Sequence, residues 1–132
     1  MQDNVDIVKT VIDAFNRRDV AALAEFTTSD IEWFPAMPGT VEGGSYRGGD
    51  GVETYLAEIG HTWEEYRIFG DEFRDLGDRV VVLGRTEGRG RGSGVQVDSP
   101  IGVIYDFRDG KMSRVLAYLD HGEALRAAGL TE

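Results

Sequence analysis

The chain has no cysteine, only two histidines and three prolines, and no apolar run near membrane length. Each shortage excludes something. Without cysteine there is no disulfide framework and no thiolate chemistry. Two histidines, His61 and His121, share no metal-ligand spacing, so no metal site is expected. A membrane helix needs roughly 20 consecutive apolar residues, and no such stretch exists. The first residues are polar and acidic, so neither a signal nor a transit peptide is expected. Basic residues are scarce too: 14 Lys and Arg face 24 Asp and Glu, for a net charge of −10. That charge repels phosphate backbones, so nucleic-acid binding is not expected. Membrane attachment is not expected either, and the location expected is cytoplasmic.

What is present fits one domain spanning residues 1–132, with 41% hydrophobic residues for a single core. Val5, Val8, Val11, Ile12 and Phe15 recur at helical spacing and predict a helix from about Asn4 to Arg17. Asp19 caps a shorter helix that carries Leu23 and Phe26 on one face. Thr27-Thr28-Ser29-Asp30 reads as a turn, and Ile31 to Pro35 as a strand. Ala36 to Gly49 lacks periodicity and reads as a loop, with Met37 on a lid-like segment. Asp50 and Glu53 form a capping box for a helix with Val52, Tyr55, Leu56 and Ile59 on its apolar face, and Gly60 weakens its end. Four strands follow: Tyr66–Arg74, Arg79–Arg89, Val95–Phe107 and Lys111–Leu119.

The clearest local signals lie in the last third. Asp109-Gly110 between two alternating apolar runs predicts a hairpin, because both residues tolerate positive φ. Asp120-x-x-Glu123 then caps a short helix. The run Gly88-Arg89-Gly90-Arg91-Gly92-Ser93-Gly94 superficially resembles a phosphate loop. A phosphate cradle must open a helix, and none follows, so the run reads as a hairpin connection. Helices first and a strand meander last argue for α+β.

The segment Ala14-Phe15-Asn16-Arg17-Arg18-Asp19, then Leu23-Ala24-Glu25-Phe26, then Ile31-Glu32-Trp33-Phe34-Pro35, together with the hairpin-then-helix ending, resembles the SnoaL-like branch of the nuclear transport factor 2-like superfamily. That branch is related to ketosteroid isomerases, limonene epoxide hydrolases and polyketide cyclases. The resemblance covers nearly the whole chain. It implies a cone-shaped roll: three N-terminal helices packed on a curved, mainly antiparallel sheet, with a short C-terminal helix and a ligand pocket in the cone.

The resemblance also directs attention to particular residues. Arg85-Thr86-Glu87 is similar to the Arg-x-Asp of the epoxide hydrolases. Arg85 and Glu87 lie on one strand face with Val81 and Leu83. If that face lines the cone, Arg85 polarises a substrate oxygen and Glu87 or Asp98 moves the proton. The competing reading is a structural ion pair. The last-strand carboxylate of the hydrolases and cyclases falls on Ala117. The cyclases' Gly-Arg pair matches Gly84-Arg85, and their His falls near Val103. The ketosteroid isomerase positions read Val11, Phe34 and about Val103, which implies that this activity is absent. Asp120 is a helix cap or, alternatively, a base at the pocket mouth. Trp33, Phe34, Tyr55, Trp63 and Tyr118 are candidate pocket walls beside Asp120, although most aromatics must be core.

The expected function is binding of a small, uncharged or weakly cationic hydrophobic molecule, with cofactor-free isomerisation, cyclisation or hydrolysis as its possible chemistry. The alternative is a non-catalytic ligand carrier or a dimeric interaction module. Val80 and Val82 are apolar on what is then the outer sheet face, so a homodimer through that face is expected.

Overall fold

The structure is a computed structural model that describes residues 3–36 and 45–130. Its elements in chain order are α1 (Asn4–Asn16), α2 (Val20–Phe26), β1 (Thr27–Phe34), β2 (Tyr46–Arg47), α3 (Gly48–Thr62), β3 (Trp63–Asp75), β4 (Arg79–Gly90), β5 (Gln96–Arg108), β6 (Lys111–Tyr118) and α4 (His121–Ala127). The single sheet has the order β2-β1-β6-β5-β4-β3. Every neighbouring pair is antiparallel except β1 with β6. The fold is the expected α+β roll, with one more short strand, β2.

The Asp109-Gly110 turn has φ of 54° and 80°, as two positive-φ hairpin residues require. Asp3 caps α1 by accepting from the Asp6 N–H, and Asp19 caps α2 by accepting from Ala22. Asp120 accepts from the Gly122 N–H and caps α4. The glycine run connects β4 to β5 and opens no helix.

Three local expectations need correction. Thr27 to Asp30 is not a turn but the start of β1. There, pairing of Thr27 with Met112 on β6 overrides the turn preference of the sequence. The helix expected at Asp50 begins two residues earlier, at Gly48, with Arg47 at its cap position and no side-chain cap bond. It runs on to Thr62, with Gly60 in its last turn. In the expected loop, Tyr46 and Arg47 pair with Trp33 and Glu32 as strand β2. The lid-like segment with Met37 lies outside the described residues.

The largest correction concerns which face of the sheet is which. Val80 and Val82 pack against the helices in the main core with Val8, Val11 and Phe15. Val81 and Leu83 face the other way, under Leu125 of α4 in a second cluster with Ile104. Every residue from Val80 to Gly84 is buried. A strand buried on both sides shows no alternation, so its inward parity cannot be read from sequence. The helix that covers the outer side is the chain's own α4, which removes the stated motive for a partner copy at those residues.

Candidate functional site

The segment that joins α1 to α2 assigns each of its residues a task. Phe15 is buried in the core. Asn16 binds Ile68 through both of its amide atoms: Nδ2 donates to the Ile68 carbonyl and Oδ1 accepts the Ile68 N–H, each at 2.9 Å. β3 is a sheet edge, so this amide satisfies backbone groups that would otherwise be left unpaired. Arg17 pairs with Asp13 and Asp19 on the surface. Arg18 takes φ of 58°, a left-handed value uncommon outside glycine. Its guanidinium donates to the Phe15 carbonyl at 2.6 Å and to the Tyr66 carbonyl at 2.7 Å.

These bonds hold α1 against β3 and frame an aromatic cluster between helices and sheet. Phe15 stacks on Trp33 with centroids 5.8 Å apart and meets Tyr66 edge-on at 6.4 Å. Tyr55 of α3 lies 6.0 Å from Trp33 and 4.9 Å from Tyr46. Trp63 closes the row 5.5 Å from Tyr66. Such spacings are those at which aromatic pairs attract. The Tyr46 hydroxyl donates to Glu58 at 2.8 Å. Burial pushes the Tyr55, Tyr66 and Tyr105 phenols above their ordinary value, so all three stay protonated donors at neutral pH. Tyr55, Trp63 and Ala117 pack on the inward side and are only half-buried.

The expected site residues divide between the two faces. Trp33, Tyr55 and Trp63 join the inward cluster. Phe34 does not: it pairs with Leu116, one position out of phase with inward Trp33 and Val115. Tyr118 packs with Leu116 in the α4 cluster on the outer side. Asp120 caps α4 there and reaches no cone. Arg85 and Glu87 hydrogen-bond to each other at 3.1 Å, as expected, but on the outer face with about half of each side chain exposed. Asp98 stands opposite Glu87 in the register, also exposed. The inward residue of Arg85-Thr86-Glu87 is therefore Thr86, buried, with its hydroxyl donating to the Arg67 carbonyl. The error in face assignment at Val80–Gly84 carried these acids to the wrong side.

Two surface hollows lie outside the cone. One of about 590 Å3 separates α1 from β3 and is lined by Lys9, Asn16, Phe69, Phe73 and Arg85 among others. A smaller one of about 230 Å3 lies over Glu65, Arg67, Glu87, Arg89 and Asp98. Among the described residues no group of three or more His, Cys, Asp or Glu is placed to hold a metal.

Sequence reasoning missed Arg18, Asn16, Tyr46 and Glu58. Glu58 had a readable signal, since it falls three residues after Tyr55 on the same helix face. Arg18 had none, because an αL arginine looks like any helix-end arginine until the chain is folded.

A SnoaL-like domain model matches residues 8–115. Among solved structures, an NTF2-like protein of unknown function from Burkholderia pseudomallei is 25% identical with a TM-score of 0.78, covering 96% of this chain and 97% of that one. TerC, co-crystallised with polyporic acid, is 28% identical with a TM-score of 0.78, covering 89% of this chain and 91% of its own. A protein with a ketosteroid isomerase-like fold from Catenulispora acidiphila, in complex with trimethylamine, is 17% identical with a TM-score of 0.74, covering 96% and 94%; it bears on fold alone. No curated protein matches the chain. Among the described residues no helix is long and apolar enough to cross a membrane.

Proposed function

Because the chain belongs to the SnoaL-like domain family, we propose that it binds a small planar aromatic molecule between the sheet and helices α1 to α3. The observation that carries this reading is the inward cluster of Phe15, Trp33, Tyr55 and Tyr66, rings faced by protonated phenols. Stacked rings supply apolar area, and phenols supply directed donors to a carbonyl or quinone oxygen. TerC, a relative of similar length, was crystallised with such a molecule. In any reaction there, the phenols would polarise a ligand oxygen and favour isomerisation or cyclisation.

One observation favours a non-catalytic carrier as the second reading. The inward positions of β4, β5 and β6, such as Thr86, Val103 and Ala117, carry no carboxylate or imidazole that could act as a base. We also propose a homodimer, supported by the apolar, half-exposed strip of Phe34, Leu116 and Tyr118 beside α4 on the outer face.

Calorimetric titration with polyporic acid, steroids and sugar phosphates tests the binding reading. Saturable binding of the planar aromatic and none of the sugar phosphates is expected. Binding confined to sugar phosphates would overturn it. Mass spectrometry of the recovered ligand separates enzyme from carrier: a mass or isomer change that depends on Tyr55 supports catalysis, and unchanged ligand supports the carrier.

A further inference from the structure

We infer that Arg18 makes the cone selective for an acidic aromatic ligand, one that presents an enolate, phenolate or carboxylate to the guanidinium. The inference rests on the cone being the binding site. It reverses the expectation of an uncharged or weakly cationic ligand, which placed Arg85 as the one interior cation. In the structure Arg85 lies on the outer face, shared by Asp71 and Glu87, and the cation beside the aromatic cluster is Arg18.

Three observations converge on it. The Arg18 guanidinium lies over the Phe15 ring, 5.1 Å from its centroid, and that same ring packs against Trp33, Tyr55 and Tyr66. The cation therefore stands at the edge of the proposed pocket. Secondly, its charge is unanswered. Arg17, next in sequence, pairs with two carboxylates. Among the described residues Arg18 forms no ion pair, and its guanidinium donates to the two carbonyls of Phe15 and Tyr66. A guanidinium has five N–H donors in a planar fork, so three remain for an anion. Thirdly, the arginine sits at φ of 58° at the end of a helix, a position where glycine is the less strained residue. The Tyr55 phenol, whose ring meets Phe15, would add a hydrogen bond that an oxyanion accepts, and such a bond is stronger than one to a neutral oxygen. The chain's net charge of −10 slows the approach of an anion from a distance. At contact the local guanidinium decides, because the distant charges are screened.

The test compares polyporic acid, ionised at pH 8, with the diphenylquinone that lacks its acidic hydroxyls, by calorimetric titration of the wild-type chain and of Arg18→Gln, Arg18→Gly and Arg18→Lys. The wild type is expected to prefer the acid by about tenfold or more, the scale of one charge-assisted hydrogen bond. Arg18→Gln and Arg18→Gly are expected to lose that preference while still binding the neutral quinone. Arg18→Lys should keep most of it. Arg18→Gly fits the left-handed backbone without strain and Arg18→Lys keeps a cation, and melting temperatures identify which variants hold the fold and enter the comparison. Equal wild-type affinity for both quinones, or a preference that survives in Arg18→Gln and Arg18→Gly, would overturn the role of Arg18 while leaving the pocket standing. Failure of the wild type to bind either quinone would overturn the pocket itself, and the inference with it.

Discussion

Side chains of the same type have different tasks depending on which face receives them. Tyr55 on α3 and Tyr118 at the end of β6 are both tyrosines, yet one lies among rings and the other packs under α4. Tyr55→Phe should therefore weaken binding of a planar hydroxyaromatic by about 3- to 10-fold, one neutral hydrogen bond, with the melting temperature unchanged. Titration calorimetry checks it, and an unchanged affinity would remove Tyr55 from the site. Arg85→Ala and Glu87→Ala give the converse case. Both groups sit on the outer face, so ligand affinity should not move, and stability should change by no more than about 1 kcal/mol, the range of an exposed ion pair. A loss of binding in either variant would return chemistry to the outer face. The individual candidates were thus legible in sequence as residue types, but not their direction. Alternation fails where both faces are buried, and five consecutive buried residues on β4 hide the phase that Arg85 and Glu87 inherit.

The elements were far more legible. The Asp-Gly hairpin, the Asp19 and Asp120 caps and the amphipathic α1 all carry local chemistry that fixes local geometry. Asp120→Ala should lower stability by about 0.5–2 kcal/mol through the loss of the α4 cap. Thermal denaturation checks this, and no change would mean that packing of Leu125 alone holds α4. The elements misread are those set by distant partners. β1 starts early because Thr27 finds β6, and β2 exists because Tyr46 finds Trp33. Neither pairing leaves a mark within its own segment. The staple between Asn16 and Ile68 is of the same kind, since it joins residues far apart in sequence. The same class of long-range contact brings Phe15 and Arg18 up to Tyr66.

At the scale of the whole molecule, the roll encloses buried phenols and carries most of its charge outside. Tyr55, Tyr66 and Tyr105 ionise less readily folded than unfolded. Their raised values mean that the folded chain holds more protons above pH 10, the ordinary phenol value. Stability should be intact below that pH and fall as pH rises through and beyond it. Denaturant midpoints from pH 8 to about 11.5 would show the decline, and a flat profile would mean that the phenols reach water. Light scattering at micromolar concentration should give twice the monomer mass of 14.5 kDa, as expected if the strip of Phe34, Leu116 and Tyr118 is covered by a second copy; the monomer mass would contradict the dimer. The central claim, that the cone and not the groove beside α1 or the outer face is the binding site, is tested most directly by a crystal structure of the protein soaked with polyporic acid. Density for a planar ligand against Trp33, Tyr55 and Tyr66, with an oxygen toward Arg18, is the predicted result. Ligand density only in the groove between Lys9 and Phe73 or over Glu87 and Asp98, with the cone closed by its own side chains, would contradict it.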